Sequence, residues 1–187
     1  SELETRTPFT QLWFLPPNNI NEISRLLELC MKDDLILKKY RVMCVNRKNK
    51  LLAKEIREEI IKEEIIAKNS GQSGLIILAG NMLNLGISLD LCDLVILLNN
   101  TLSADKVLQQ IYRCMTESLN KKIGFVVDLN ISRVLHTCIN YSVNKKNMSV
   151  DDKIKYIINN LLINIDVDMF WNKKIDEESK DKDEFYP

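Results

Sequence analysis

Apolar residues recur along this chain with two alternating periods. Short apolar runs at 10–15 (TQLWFL), 75–79 (LIILA), 94–98 (LVILL) and 123–128 (IGFVVD), and an alternating stretch at 40–46 (YRVMCVN), predict strands. Pro16-Pro17 stops the first of them. Between the strands, apolar positions return at helical spacing. Ile23, Leu26, Leu27, Cys30 and Met31 predict a helix that Asn18, Asn19 or Asn21 can cap. Leu51, Leu52, Ile56, Ile60, Ile61, Ile65 and Ile66 predict a second over 49–68, its other side Lys/Arg/Glu-rich and solvated, ended by SGQSG. A third spans about 103–116, and ISRVLHTCINYSV gives a fourth. A fifth, 149–165, has Ser149 as N-cap with Asp151 and Asp152 in its first turn. Strands that are almost continuously apolar and alternate with helices imply a mainly parallel sheet covered on both faces, with right-handed crossovers. The expected fold is a three-layer α/β domain over residues 1–148. A helical, charged C-terminal tail follows over 149–187, and from Asn172 onward it needs a partner to become ordered.

Composition adds modest constraints. A length of 187 residues with 45% hydrophobic content suffices for one domain and a core. The formal charge is zero, yet 149–187 holds ten acidic and six basic residues, leaving 16 acidic and 20 basic in the body. A mildly positive body is compatible with nucleic acid and with ordinary solvated surface. Five dispersed cysteines without a CxxC pair, and the single histidine His136, argue against zinc and a disulfide framework. Reduced, buried thiols in an intracellular compartment are expected. No stretch has the ~20 apolar residues of a membrane span. SELETRTPF lacks a signal-peptide pattern, and the absence of an initial Met suggests a processed chain or an excised piece.

Candidate chemistry concentrates in 74–118. No GxxxxGK[ST] occurs, and no Asp-Glu pair follows an apolar strand, so the chain lacks the groups that grip a triphosphate and its Mg²⁺. Gly80, Asn81, Asn84, Gly86 and Ser88 form a small polar loop beyond the carboxyl end of a strand, where ligands of open α/β sheets bind and a backbone can approach a phosphate. A tight turn needing glycine at positive φ is the other reading. On the next helix Lys106, Gln109, Arg113 and Thr116 fall on one polar stripe, with Val107, Leu108, Ile111, Cys114 and Met115 opposite. The stripe is expected at the same sheet edge as the Gly80–Ser88 loop. There an arginine can stabilise charge developing on a γ-phosphate; an ordinary wet helix face is the alternative.

These blocks resemble motifs V and VI of superfamily 2 helicases. Leu85-Gly86-Ile87-Ser88-Leu89, then Asp93, Val95 and Ile96, match motif V, and Gln109 and Arg113 match motif VI. The resemblance covers about 10–148, the span of a C-terminal RecA-like lobe. GFVVDLNISRVLH and QQIYRCMTES are similar to helicases of large nucleocytoplasmic DNA viruses. Thr116 replaces a second arginine, Tyr112 the helix glycine, and Gly80 the motif V Thr/Ser; Arg133 is a substitute arginine without positional support. The resemblance implies that Gly86, Ser88, Gln109 and Arg113 face a nucleotide at an interlobe cleft, with Gln109 and Arg113 catalytic. Gly80, Asn81 and Asn84 would face nucleic-acid phosphates. It implies ATP and Mg²⁺ held mainly by an N-terminal RecA-like lobe, DNA or RNA and other viral transcription or replication proteins as partners, no membrane, and a cytoplasmic or virion location. The parent would be an ATP-dependent helicase, and the chain alone inactive. A catalytically degenerate interaction module and a separate flavodoxin-like phosphate-binding protein are the rivals.

Overall fold

The computed structural model describes residues 5–45, 53–80, 91–116, 118, 121, 123–141 and 148–160. Five strands form a sheet: β1 (Phe9–Phe14), β2 (Tyr40–Val45), β3 (Gly74–Ala79), β4 (Leu94–Leu97) and β5 (Phe125–Asp128). All pairings are parallel, in the order β2-β3-β1-β4-β5. The helices are α1 (Ile20–Asp33), α2 (Ala53–Asn69), α3 (Ala104–Ile111), α4 (Ile131–Tyr141) and α5 (Val150–Asn160). This is the three-layer α/β architecture that the alternating periods predict.

Topology decides which face each helix covers. From β1 the chain passes over the position of β3 to edge strand β2, and every later strand lies in the opposite direction. Right-handed crossovers then put α1 on one face and α2 and α3 on the other. The core agrees. Leu12, Phe14, Leu75, Ile77, Val95 and Leu97 pack with Ile56 and Ile60 of α2 and Val107 of α3. Leu15, Ile76 and Leu78 pack with Ile20, Ile23, Leu27 and Met31 of α1. Every residue of β3 is buried, which is why that strand shows no polar alternation.

Two local expectations change. Asn19 occupies the N-cap of α1 with φ 59° and no side-chain cap bond. Its value is tolerance of the left-handed region, where asparagine is strained less than most residues. In α2 the buried stripe is Ile56, Ile60, Glu64 and Ala67, while Ile65 and Ile66 are exposed. A carboxylate takes the inward position because it has partners waiting, described below.

The chain divides into two compact units, Ser1–Val134 and Leu135–Pro187. In the second, Ser149 caps α5: its Oγ accepts from the Asp152 N–H at 3.2 Å and donates to Asp152 Oδ2 at 2.6 Å. The residues from Asn172 onward, expected to need a partner, lie outside the described residues.

Candidate functional site

The site is built around α3 and the two sheet ends it connects. Leaving β4 at the carboxyl edge, the chain starts α3 after Ser103 and runs back antiparallel to the strands. It tightens into a 3-10 turn, Tyr112–Cys114, at the amino edge. The expected helix over 103–116 is therefore an α-helix ending at Ile111 plus this turn. Gly124, just before β5, makes the close packing possible: a Cβ there would lie 1.9 Å from the Cys114 carbonyl oxygen.

Gln109 is exposed on the outer face of α3, beside Lys106. Arg113 is half-buried in the 3-10 turn, within electrostatic reach of Cys92. Desolvation holds its guanidinium below the ordinary arginine value. Thr116, two residues beyond the turn, is half-buried. Gly80 is buried at the carboxyl end of β3. Its φ is not positive, so the tight-turn explanation does not apply; instead a Cβ would come within 2.8 Å of Ile20 Cδ1. Asn81, Asn84, Gly86 and Ser88 lie outside the described residues. Gly80 and Arg113 thus stand at opposite ends of the sheet, not at the shared edge expected from the sequence. The antiparallel run of α3 carries its last turn away from the carboxyl edge.

A buried polar network joins α3 to the carboxyl edge. Asn99 Nδ2 donates to Gln110 Oε1 at 3.2 Å, and Gln110 is fully buried. Arg133 Nη1 donates to the Asn99 carbonyl at 2.5 Å, Asn99 Oδ1 at 3.1 Å and the Thr101 carbonyl at 3.2 Å. Its Nη2 reaches the Leu97 carbonyl at 3.2 Å. Asp128 takes two further bonds from the same guanidinium. Arg133 is therefore committed to holding strand ends together and is no substitute finger. Gln110 went unnoticed in the sequence, although it sits at i+3 from buried Val107 and four before buried Cys114. A polar residue on the inward stripe is the signal that marks it.

A second network closes the amino edge. Arg6 pairs with Glu64 at 2.6 Å and Asp93 at 2.8 Å and donates to the Leu91 carbonyl. The Thr10 N–H donates to Asp93 Oδ2 and the Thr10 hydroxyl to Glu64 Oε1, each at 2.8 Å. Burial pushes the Asp93 carboxyl up, while the Thr10 N–H and Arg6 oppose the push. Lys121 Nζ donates to the Cys92 carbonyl at 3.1 Å. Asp93, part of the motif V resemblance, thus ties β4 to β1 and α2.

Among the described residues no group of three or more His, Cys, Asp or Glu is placed to hold a metal ion. Nor is any described helix long and apolar enough to cross a membrane.

No protein-family model matches the sequence, and no curated protein matches it. Among solved structures, the chain is similar to Mycobacterium smegmatis helicase Lhr bound to ssDNA and AMP-PNP. The similarity has 15% sequence identity and a TM-score of 0.40, covering 71% of this chain and 16% of that one. The chain thus spans a small part of that helicase's length.

Proposed function

We propose that this chain is the second RecA-like lobe of an ATP-dependent nucleic-acid helicase or translocase. The observation that supports it best is the setting of Arg113. It is a half-buried guanidinium ending the short helix that follows β4, on the element whose residues resemble motif VI. A desolvated cation gains from an anion brought to it, and a γ-phosphate held by a facing lobe is such an anion.

In this reading Gln109 and Arg113 complete an ATP site on lobe closure, joined by Gly86 and Ser88, while Gly80, Asn81 and Asn84 face nucleic-acid phosphates. On the same reading Mg²⁺ is held mainly by the N-terminal lobe. Bound ATP supplies the phosphoanhydride whose cleavage drives the cycle. This chain's part is to orient the terminal phosphate and balance its charge. Opening and closing of the two lobes would step the protein along DNA or RNA through backbone contacts.

The test has two parts. The isolated chain should show no Mg²⁺-ATP turnover. In the two-lobe protein, Arg113→Ala should lower ATPase kcat by roughly 10³-fold or more. Unchanged turnover would favour the second reading, a catalytically degenerate interaction module in a viral transcription or replication complex. Thr116, where motif VI carries a second arginine, is the feature that supports that alternative.

A further inference from the structure

A groove of about 410 Å³ opens at the amino end of β2, between α1 and the 3-10 turn Leu37–Lys39. It is separate from the α3 site: β2 is an edge strand, and β3 and β1 stand between it and β4. The volume falls in the range of small-ligand sites, about 300–1,000 Å³.

Its lining has a definite chemistry. Met31, Leu37 and Val42 give an apolar surface, and Tyr40 adds an aromatic ring. Lys32 and Lys38 supply two ammonium groups, neither in an ion pair among the described residues, whereas Arg41 is committed to Glu63. Gln72 also lines the groove, and its carboxamide oxygen is buried without a hydrogen-bond partner. An orphaned buried acceptor is destabilising and calls for an explanation. A half-turn of the carboxamide exchanges oxygen and nitrogen, so the buried position can hold either an acceptor or a donor.

We propose that this groove binds a mononucleotide, a small organic phosphate with a flat heteroaromatic body. Two ammonium groups suit a phosphate monoester, which carries about −1.5 to −2 charges near neutral pH. The apolar lining and Tyr40 receive the base by contact and stacking. The carboxamide of Gln72 supplies a polar contact to the edge of the base. Glu28, also on the lining, accepts from ribose hydroxyls. The inference does not depend on the helicase reading, because it uses no residue of α3.

The experiment is a residue-resolved NMR titration of the 187-residue chain with AMP, adenosine and inorganic phosphate. AMP should move the signals of Lys32, Lys38, Tyr40 and Gln72 saturably while those of α3 stay in place. Replacing both exposed lysines, Lys32→Ala with Lys38→Ala, should weaken AMP roughly tenfold or more and leave adenosine unchanged. Gln72→Ala should weaken AMP and adenosine alike, with folding checked from the remainder of the spectrum. The absence of saturable shifts at the groove overturns the proposal, as do equal affinity for phosphate alone or a lysine double variant that binds AMP normally.

Discussion

Arg133, in the first turn of α4, grips Asp128, the last residue of β5, with two prongs of its guanidinium. Nε donates to Oδ2 at 2.8 Å and Nη2 to Oδ1 at 2.6 Å. Their side chains are 2% and 7% exposed. A bidentate pair this far from water is favourable only because every group is satisfied, and the remaining arginine protons go to carbonyls at the carboxyl end of β4 and just beyond. Removing one partner is the damaging event. Arg133→Ala should destabilise the domain by about 3–5 kcal/mol, because it strands a buried carboxylate and leaves the β4 carbonyls without donors. Asp128→Asn, which keeps one acceptor oxygen, should be milder. Urea denaturation measures both, and a loss below about 1 kcal/mol for Arg133→Ala would contradict the buried pair.

Neighbouring glutamines on α3 should behave oppositely. Gln110 is fully buried and accepts from Asn99, whereas Gln109 faces outward. Gln110→Ala should cost about 1–3 kcal/mol by leaving the Asn99 amide short of a partner. Gln109→Ala should stay within about 0.5 kcal/mol in the same denaturation experiment. In the two-lobe protein the proposed function assigns the kinetic effect to Gln109. A variant pair with both effects on one residue would break the assignment.

These two cases show where sequence was informative and where it was not. Apolar runs, with an alternating stretch for β2, disclose the five described strands, and β3 is clearest because both its faces are covered. Strand order was not legible, since it depends on pairings between residues as distant as Thr10 and Leu75 or Leu94 and Phe125. Polar residues that turn inward were missed for a related reason. Glu64, Gln110 and Arg133 are buried by partners on other elements, and periodicity carries no information about partners. The placement of Arg113 followed from the direction of α3, which the motif pattern alone did not supply.

The five cysteines should separate by reactivity. Cys30 is exposed, while Cys92 and Cys114 are buried. Burial pushes the Cys114 thiol up to about 11 and the Cys92 thiol further still. At pH 8 the Cys114 thiolate fraction is then on the order of 10⁻³, before access is considered. Iodoacetamide followed by mass spectrometry should label Cys30 rapidly and leave Cys92 and Cys114 unmodified until urea unfolds the chain. Early labelling of Cys114 would mean that the 3-10 turn carrying Arg113 opens from the amino edge in the native state.

Acid should act on the start of the 3-10 turn at Leu37–Lys39 through one exposed side chain. Asp34 accepts hydrogen bonds from the backbone N–H groups of Leu37 at 2.8 Å and Ile36 at 2.9 Å. These bonds favour the carboxylate and hold its pKa below the usual aspartate value, the Leu37 bond contributing most. Because the folded-state pKa is depressed, the stabilisation is fully present above the unfolded-state value of about 3.9 and is lost as pH falls through the folded one. An NMR titration should find the Asp34 carboxyl midpoint below about 3.9, with the Ile36 and Leu37 amide signals moving at the same midpoint. Asp34→Asn keeps a side-chain oxygen to accept those bonds, so it should retain the turn and abolish the shared titration. Amide signals that still titrate in Asp34→Asn would assign the acid response to another group and leave Asp34 without a role in holding the turn.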